Sequence, residues 1–192
     1  VLDRAHELVV RAGNPEQLAI IDEQDRGAFA LQQGRLDEAY AAYRSVRERT
    51  ERLVGPDNPG LTTSLANEAV ALVLLGKPAD AVPMYRRILA IDASIGRSGN
   101  SEAFARFSLG RALRLLDKPA EALTEDEHAV EIYDRVQPPS KWIDEALTGE
   151  VEDLLALGRA HDAIAPLERA FAVRSMADDD VEITGEIRDK LI

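Results

Sequence analysis

The sequence predicts an all-α fold, a solenoid in which antiparallel pairs of helices stack side by side. Two observations lead to this prediction. One short turn motif recurs four times at a nearly constant spacing, and apolar residues on both sides of it recur at steps of three and four residues. No segment of the 192 residues has the alternating pattern of a β-strand.

The turn motif divides the chain into similar units. Its four copies read QGRLDEA, LGKPADA, LDKPAEA and LGRAHDA, and the alanines that close them are spaced 42, 41 and 41 residues apart. These alanines are Ala39, Ala81, Ala122 and Ala163. Twelve residues before each of them stands a second column, which is small in three of four cases: Gly27, Ala69, Gly110 and Val151. Small residues at fixed positions indicate helices that approach closely.

Each unit is predicted to contain two helices. In the second unit the apolar residues of the first helix are Leu65, Ala69, Leu72 and Leu75, and those of the second are Ala81, Tyr85, Ile88 and Leu89. Gly76 is suited to end the first helix because glycine readily takes the left-handed conformation. Pro78 is suited to begin the second, since its missing N–H is not needed there.

Breaker segments separate the units in order along the chain. We expect a tail of an earlier unit at 1–13, four units at 14–55, 56–97, 98–138 and 139–176, and a C-terminal capping helix at 177–192 that closes the array or begins another unit. Because residues 2–5 resemble residues 167–170, the array is expected to continue upstream. Pro83 and Pro166 fall inside second helices and predict a late start or a slight kink.

Composition excludes several classes of partner. The chain has 35 acidic and 23 basic residues, a formal charge of −12, so neither nucleic acid nor a membrane surface is an expected partner. The longest apolar run, Ala69–Leu75, is far shorter than the roughly 20 residues that span a bilayer. The absence of cysteine fits a cytoplasmic location.

The repeat resembles the tetratricopeptide repeat (TPR). That family has a small residue in the first helix, glycine at the turn, alanine opening the second helix and an aromatic residue four positions later, and Tyr43 and Tyr85 match the aromatic position. Asp126 and Leu167 replace it in the last two units. The period of 41 is longer than the usual period of about 34, and the segment from Val54 to Pro59 is similar to the kinesin-light-chain type.

This resemblance implies a right-handed superhelical TPR-like solenoid that acts as a protein-protein interaction scaffold. It implies a protein or peptide ligand in the concave groove, in a chain that is part of a larger signalling protein. The alternative that it leaves open is a self-association or autoinhibitory module of a parent enzyme such as a serine/threonine kinase, with homo-oligomers as one consequence.

The family's inward positions map onto the first helices. They are Gln24 and Ala28, Ala66 and Val70, Phe107 and Arg111, and Thr148 and Glu152. Beside them, Asn67 matches one of two asparagines typical of the kinesin-light-chain subfamily, whereas Ala66 replaces the other. We therefore expect partner binding at Gln24, Asn67 and Thr148.

The third unit carries the most distinctive surface. Phe104, Phe107, Arg111 and Arg114 follow one another at steps of three, four and three residues, which places two aromatic rings and two cations in one stripe of a helix. Such a stripe is predicted to bind a peptide with a carboxylate and an apolar anchor. Alternatively, Arg111 pairs with Glu152 of the next unit.

No catalytic, metal or cofactor site is expected. Glu125 and His128 have the spacing of half a di-iron site, but no second Glu-x-x-His accompanies the other histidines. Gly76-Lys77 is followed by Pro78 and not by the Ser or Thr of a phosphate-binding loop. The sequence therefore predicts a non-enzymatic protein.

Overall fold

The computed structural model describes residues 15–136 and 142–177, and within these ranges it contains eight α-helices and a short 3-10 turn at Pro59–Leu61. The helices are α1 (Pro15–Gln32), α2 (Leu36–Val54), α3 (Thr62–Leu74), α4 (Pro78–Ser94), α5 (Asn100–Arg114), α6 (Pro119–Arg135), α7 (Ile143–Ala156) and α8 (Ile164–Ala177). The predicted upstream tail at 1–13 lies outside the described residues, as does all but the first residue of the predicted capping helix.

The helices pack in chain order. Each one contacts mainly the helix before it and the helix after it, and short turns join α1 to α2, α3 to α4, α5 to α6 and α7 to α8. The predicted all-α solenoid of antiparallel helix pairs is therefore confirmed.

The two columns of small residues lie where the helices meet. The closing alanines Ala39, Ala81 and Ala122 are fully buried, and Ala163 is 4% exposed. Gly27 of α1 faces the ring of Tyr43 of α2 so closely that a Cβ atom at this position would lie 2.8 Å from the ring. The columns are thus packing positions, which explains why they stay small.

The four turns share one backbone conformation. Gly34, Gly76, Asp117 and Gly158 have φ angles of 70°, 72°, 58° and 73°, in the left-handed region. In the second unit the N–H of Lys77 donates to the carbonyl of Leu72, and the N–H of Gly76 donates to the carbonyl of Val73. This is the hydrogen-bond pattern with which a left-handed residue ends a helix.

Replacing Gly76 with alanine is expected to lower the free energy of unfolding by about 1 kcal/mol, because a Cβ atom is disfavoured in the left-handed region. Gly76→Asn is the matched control. It should cost less, since asparagine and aspartate tolerate this conformation and Asp117 adopts it in the third unit. Urea unfolding of the two variants measures the difference, and equal losses would contradict the explanation.

The two internal prolines differ in their effect. The helix α8 begins one residue after the closing Ala163, whereas α2, α4 and α6 begin three residues before their closing alanines, so the expected late start occurs at Pro166. No late start accompanies Pro83, because α4 begins at Pro78 and continues through it. Pro83 is exposed, which leaves its ring in solvent and limits the cost to one missing hydrogen bond.

The core consists of clusters of buried residues, and the two largest of these clusters join neighbouring units. Its largest cluster joins the second and third units and contains Tyr85, Leu65, Ile88 and Leu109, each at most 2% exposed. A second cluster joins the third and fourth units around Tyr133 and Leu147. These clusters hold α5 and α7 side by side, and this arrangement creates the surface described next.

Candidate partner-binding groove

Two adjoining cavities lie along the first helices of the last two units. The larger, about 370 Å³, is lined by α5, α7 and Arg174 of α8, and the smaller, about 160 Å³, is lined by α3, α4, α5 and the start of α7. Phe107, Arg111 and Glu145 line both. We call the two cavities together the groove. Five of the eight predicted inward positions line it: Val70, Phe107, Arg111, Thr148 and Glu152.

Aromatic side chains form one wall of the groove. The rings of Phe104 and Phe107 meet edge to face with centroids 6.5 Å apart, and Phe104 meets Trp142 in the same way at 5.9 Å. Phe107 is 7% exposed, whereas Phe104 and Trp142 are half-buried. Edge-to-face packing of this kind fixes the ring orientations, so the wall has a defined shape.

Arg111 is an exposed cation that lines both cavities of the groove. Among the residues that the structure describes it makes no ion pair or hydrogen bond. Glu152, considered as its partner from the sequence, instead lies 3.3 Å from Nη1 of Arg114. A guanidinium beside aromatic rings and without an internal carboxylate is available to an anion from outside.

Arg114, which was predicted with Arg111 to bind the partner, lines the larger cavity but is bound by carboxylates of the protein itself. Its guanidinium donates from Nε to Asp153 Oδ1 at 2.8 Å and from Nη2 to Asp126 Oδ2. Both of these carboxylates are fully buried. Arg114 therefore joins α5 to α6 and α7, and only its edge reaches the groove.

The pair Asp126 and Asp153 is an acidic centre inside the core. The pKa of Asp126 is raised to about 9, mainly by burial; the charge of Arg114 opposes this rise, and the negative charge of Asp153 contributes to it. Oδ1 of Asp126 has no hydrogen-bond partner. One arginine cannot neutralise two carboxylates, so near neutral pH the Asp126 carboxyl keeps its proton.

Two glycines make room for this acidic centre. A Cβ atom at Gly110 of α5 would lie 2.6 Å from Oδ1 of Asp126, and one at Gly149 of α7 would lie 2.5 Å from both Asp126 and Arg114. Asp126 stands in the column where Tyr43 and Tyr85 stand in the first two units. The replacement of the aromatic residue by Asp126 is visible in the sequence, whereas the burial of its carboxyl group depends on the neighbouring helices and is seen in the structure.

The remaining predicted residues lie apart from one another. Gln24 and Asn67 are half-buried and line neither cavity of the groove. Thr148 lines the larger cavity, and its hydroxyl donates to the carbonyl of Asp144 at 2.7 Å. Five of the predicted residues thus line the groove, and Gln24 and Asn67 lie elsewhere on the array; the five are Phe104, Phe107, Arg111, Arg114 and Thr148.

The Glu125 and His128 pair of α6 lines neither cavity of the groove. Arg106 donates to Glu125 at 2.8 Å, so the carboxylate of the Glu-x-x-His pair is already bound. The structure contains no group of three or more acidic, histidine or cysteine side chains placed to hold a metal ion in residues 15–136 and 142–177. None of the helices described there has the length and apolar character to cross a membrane.

Comparison with known proteins identifies the class of this fold, the tetratricopeptide-type interaction scaffold. Residues 17–94 match the family model described as tetratricopeptide repeat, and this segment belongs to that family. The array that continues from it has the same helical-pair architecture. Proteins of this fold are typically non-catalytic. No curated protein sequence matches the chain.

Three solved structures illustrate the likeness. The nearly identical TPR-like repeats of a protein assigned as a kinesin light chain in Podosopora anserina have a TM-score of 0.67 at 18% identity, with 93% of this chain and 86% of that chain covered. BtubC (BKLC) from P. vanneervenii has 0.76 at 17%, covering 89% and 68%. A Rap protein complexed with Competence and Sporulation Factor has 0.69 at 16%, covering 87% and 47%. At these identities the likeness concerns the fold.

Proposed function

We propose that this chain captures a partner protein through a peptide segment that carries a carboxylate beside an apolar side chain, and that the groove is the binding site. The observation that carries the proposal is Arg111, an exposed guanidinium that lines both cavities and has no ion pair within the described residues. Phe104, Phe107 and Trp142 supply the apolar surface next to it.

The charges around Arg111 define what the ligand must avoid. Glu145 lines both cavities and Glu152 lines the larger one, so a segment with several acidic residues is repelled except where it meets Arg111. Arg174 already contacts Asp144 at 3.2 Å. One acidic residue flanked by apolar residues therefore fits the groove better than an acidic run.

The proposal includes the cytoplasmic location and the place within a larger signalling protein that the sequence favours. A Rap protein of similar fold was crystallised with Competence and Sporulation Factor, which supports the binding of a partner by an array of this fold.

Replacing Arg111 with glutamate is expected to weaken binding by at least about tenfold, because a charge-assisted hydrogen bond of about 1.5–3 kcal/mol is replaced by repulsion. The probe is a fluorescent pool of hexapeptides in which one glutamate is flanked by leucine, phenylalanine or tryptophan. A second pool with glutamine in place of glutamate tests the need for the carboxylate. Fluorescence anisotropy measures both.

The matched control is Arg135→Glu, which makes the same change of charge at a side chain that is 71% exposed and lines neither cavity. Equal binding by the Arg111 and Arg135 variants, or equal binding of the two pools, would disprove the proposed site. An apparent molar mass from light scattering that rises with protein concentration in the absence of peptide would favour the self-association alternative.

A further inference from the structure

The last helix of the described chain has an apolar face that the other second helices keep covered. Ile164 of α8 occupies the column of Leu123 in α6 and Val82 in α4. Leu123 and Val82 are 5% and 8% exposed, because the next helix in the chain packs over them, whereas Ile164 is 41% exposed. Within the described residues, the face around Ile164 thus lacks the neighbour that covers the same column in α4 and α6.

A segment beyond the described helices matches the helix that covers Leu123. Residues 183–191 read ITGEIRDKL and residues 147–155 of α7 read LTGEVEDLL. Five of the nine positions are identical, and two more exchange one branched aliphatic residue for another. In α7 three of the matched positions pack against the preceding unit. Leu147 and Val151 are buried, and Gly149 allows the two units to approach closely.

We propose that residues 183–191 dock on the face of α8 around Ile164 as the first helix of a further unit, in the way that α7 docks on α6. The partner of this surface is therefore a segment of the same chain. Ile187 takes the register position of Val151, which shares a core cluster with Leu123, so Ile187 is matched with Ile164. The acidic residues Asp178–Asp180 precede the segment, where negative charge favours the start of a helix.

The connection is short but sufficient. The segment follows its counterpart by 36 residues, and the usual repeat is 41. The six steps from Ala177 to Ile183 reach roughly 20 Å when extended, and packed helices lie about 8–10 Å apart. The shortening removes the first turn that α7 has before Leu147 and leaves the matched positions within reach of α8.

The docked segment would add a residue of opposite charge to the inward column of the array. Arg188 takes the register position of Glu152, which lines the groove in the preceding unit. The inward column would then continue from an acidic to a basic residue. This consequence does not depend on the ligand proposed above, because it follows from register alone.

Engineered disulfides in the 192-residue chain test the docking. Because the sequence has no cysteine, the two introduced thiols can pair only with each other or with those of another copy. Ile164→Cys with Ile187→Cys should form an intrachain disulfide at least about tenfold faster than Ile164→Cys with Arg188→Cys, because neighbouring residues of a helix point about 100° apart. Hydrogen exchange of the cysteine-free chain should show slowed exchange of the amides from 185 to 191.

Equal rates for the two cysteine pairs would overturn the proposal, as would exchange of those amides at the rate of an unstructured peptide. Disulfide-linked dimers from dilute protein would also overturn it, because the face would then belong to a second copy. A tail that lay in the groove would leave residues 164 and 187 uncoupled, and that result counts against the docking too.

Discussion

Arg114→Met is expected to lower the free energy of unfolding by about 3–5 kcal/mol, because removing the cation leaves two buried carboxyl groups without their partner. Asp126 and Asp153 are both fully buried, and Arg114 is the side chain that donates hydrogen bonds to both. Methionine keeps much of the packing volume, so the loss reports the charge. Urea unfolding followed by circular dichroism gives the value.

Arg111→Met is the matched control, since it changes the same residue type one turn earlier in α5. Arg111 is exposed, and the expected change is within about 0.5 kcal/mol. A loss for Arg114→Met below about 1 kcal/mol would show that the buried carboxyl groups do not depend on the arginine. The pair of variants also separates stability from binding, because Arg111 is the cation that the proposed site offers to a ligand, whereas Arg114 is bound to buried carboxylates.

Asp126→Asn is expected to remove a pH dependence of stability. The folded protein holds a proton on Asp126 up to about pH 9, whereas an aspartate in an unfolded chain loses it near pH 4. Since the folded state binds more protons between these values, stability falls as pH rises across this window, with a limiting slope of about 1.4 kcal/mol per pH unit for one proton. An asparagine cannot ionise and contributes no such slope.

The charged groups that face Asp126 are Arg114 from α5 and Asp153 and Glu150 from α7. They stay in place in the variant, so the difference between the two proteins isolates Asp126. At pH 6, 7 and 8, the free energy of unfolding of the variant should increase at each step relative to that of the natural sequence. Asp162→Asn, at an exposed residue, is the control, and parallel curves for all three proteins would refute a protonated Asp126.

The fold was predictable because the same physical requirement repeats. A left-handed residue after each first helix and a fully packed alanine at the start of each second helix recur at a fixed spacing, and few structures other than stacked helix pairs satisfy such a repeat. Even Asp117, which is not glycine, adopts the left-handed conformation that its column predicts.

The groove was predictable only in part. Steps of three and four residues placed Phe107 and Arg111 on one side of α5, and both line the groove. A step of three residues, however, also turns about 60° around a helix. That rotation brings the guanidinium of Arg114 within hydrogen-bonding distance of Asp126 and Asp153, although Arg114 still lines the larger cavity. The partner that an arginine selects depends on side chains of the next helices, and a pattern within one helix does not contain that information.

Packing between chain neighbours also determines how the array responds to force. Because each helix is held mainly by the helices before and after it, small rotations at successive junctions add up along the molecule, as in a coiled spring. Under a given force, the distance between the two ends of the array therefore changes more than the distance across any single junction between helices. A ligand that contacts both α5 and α7 would limit the rotation at that junction. It would therefore restrict the movement of the two ends of the array relative to each other.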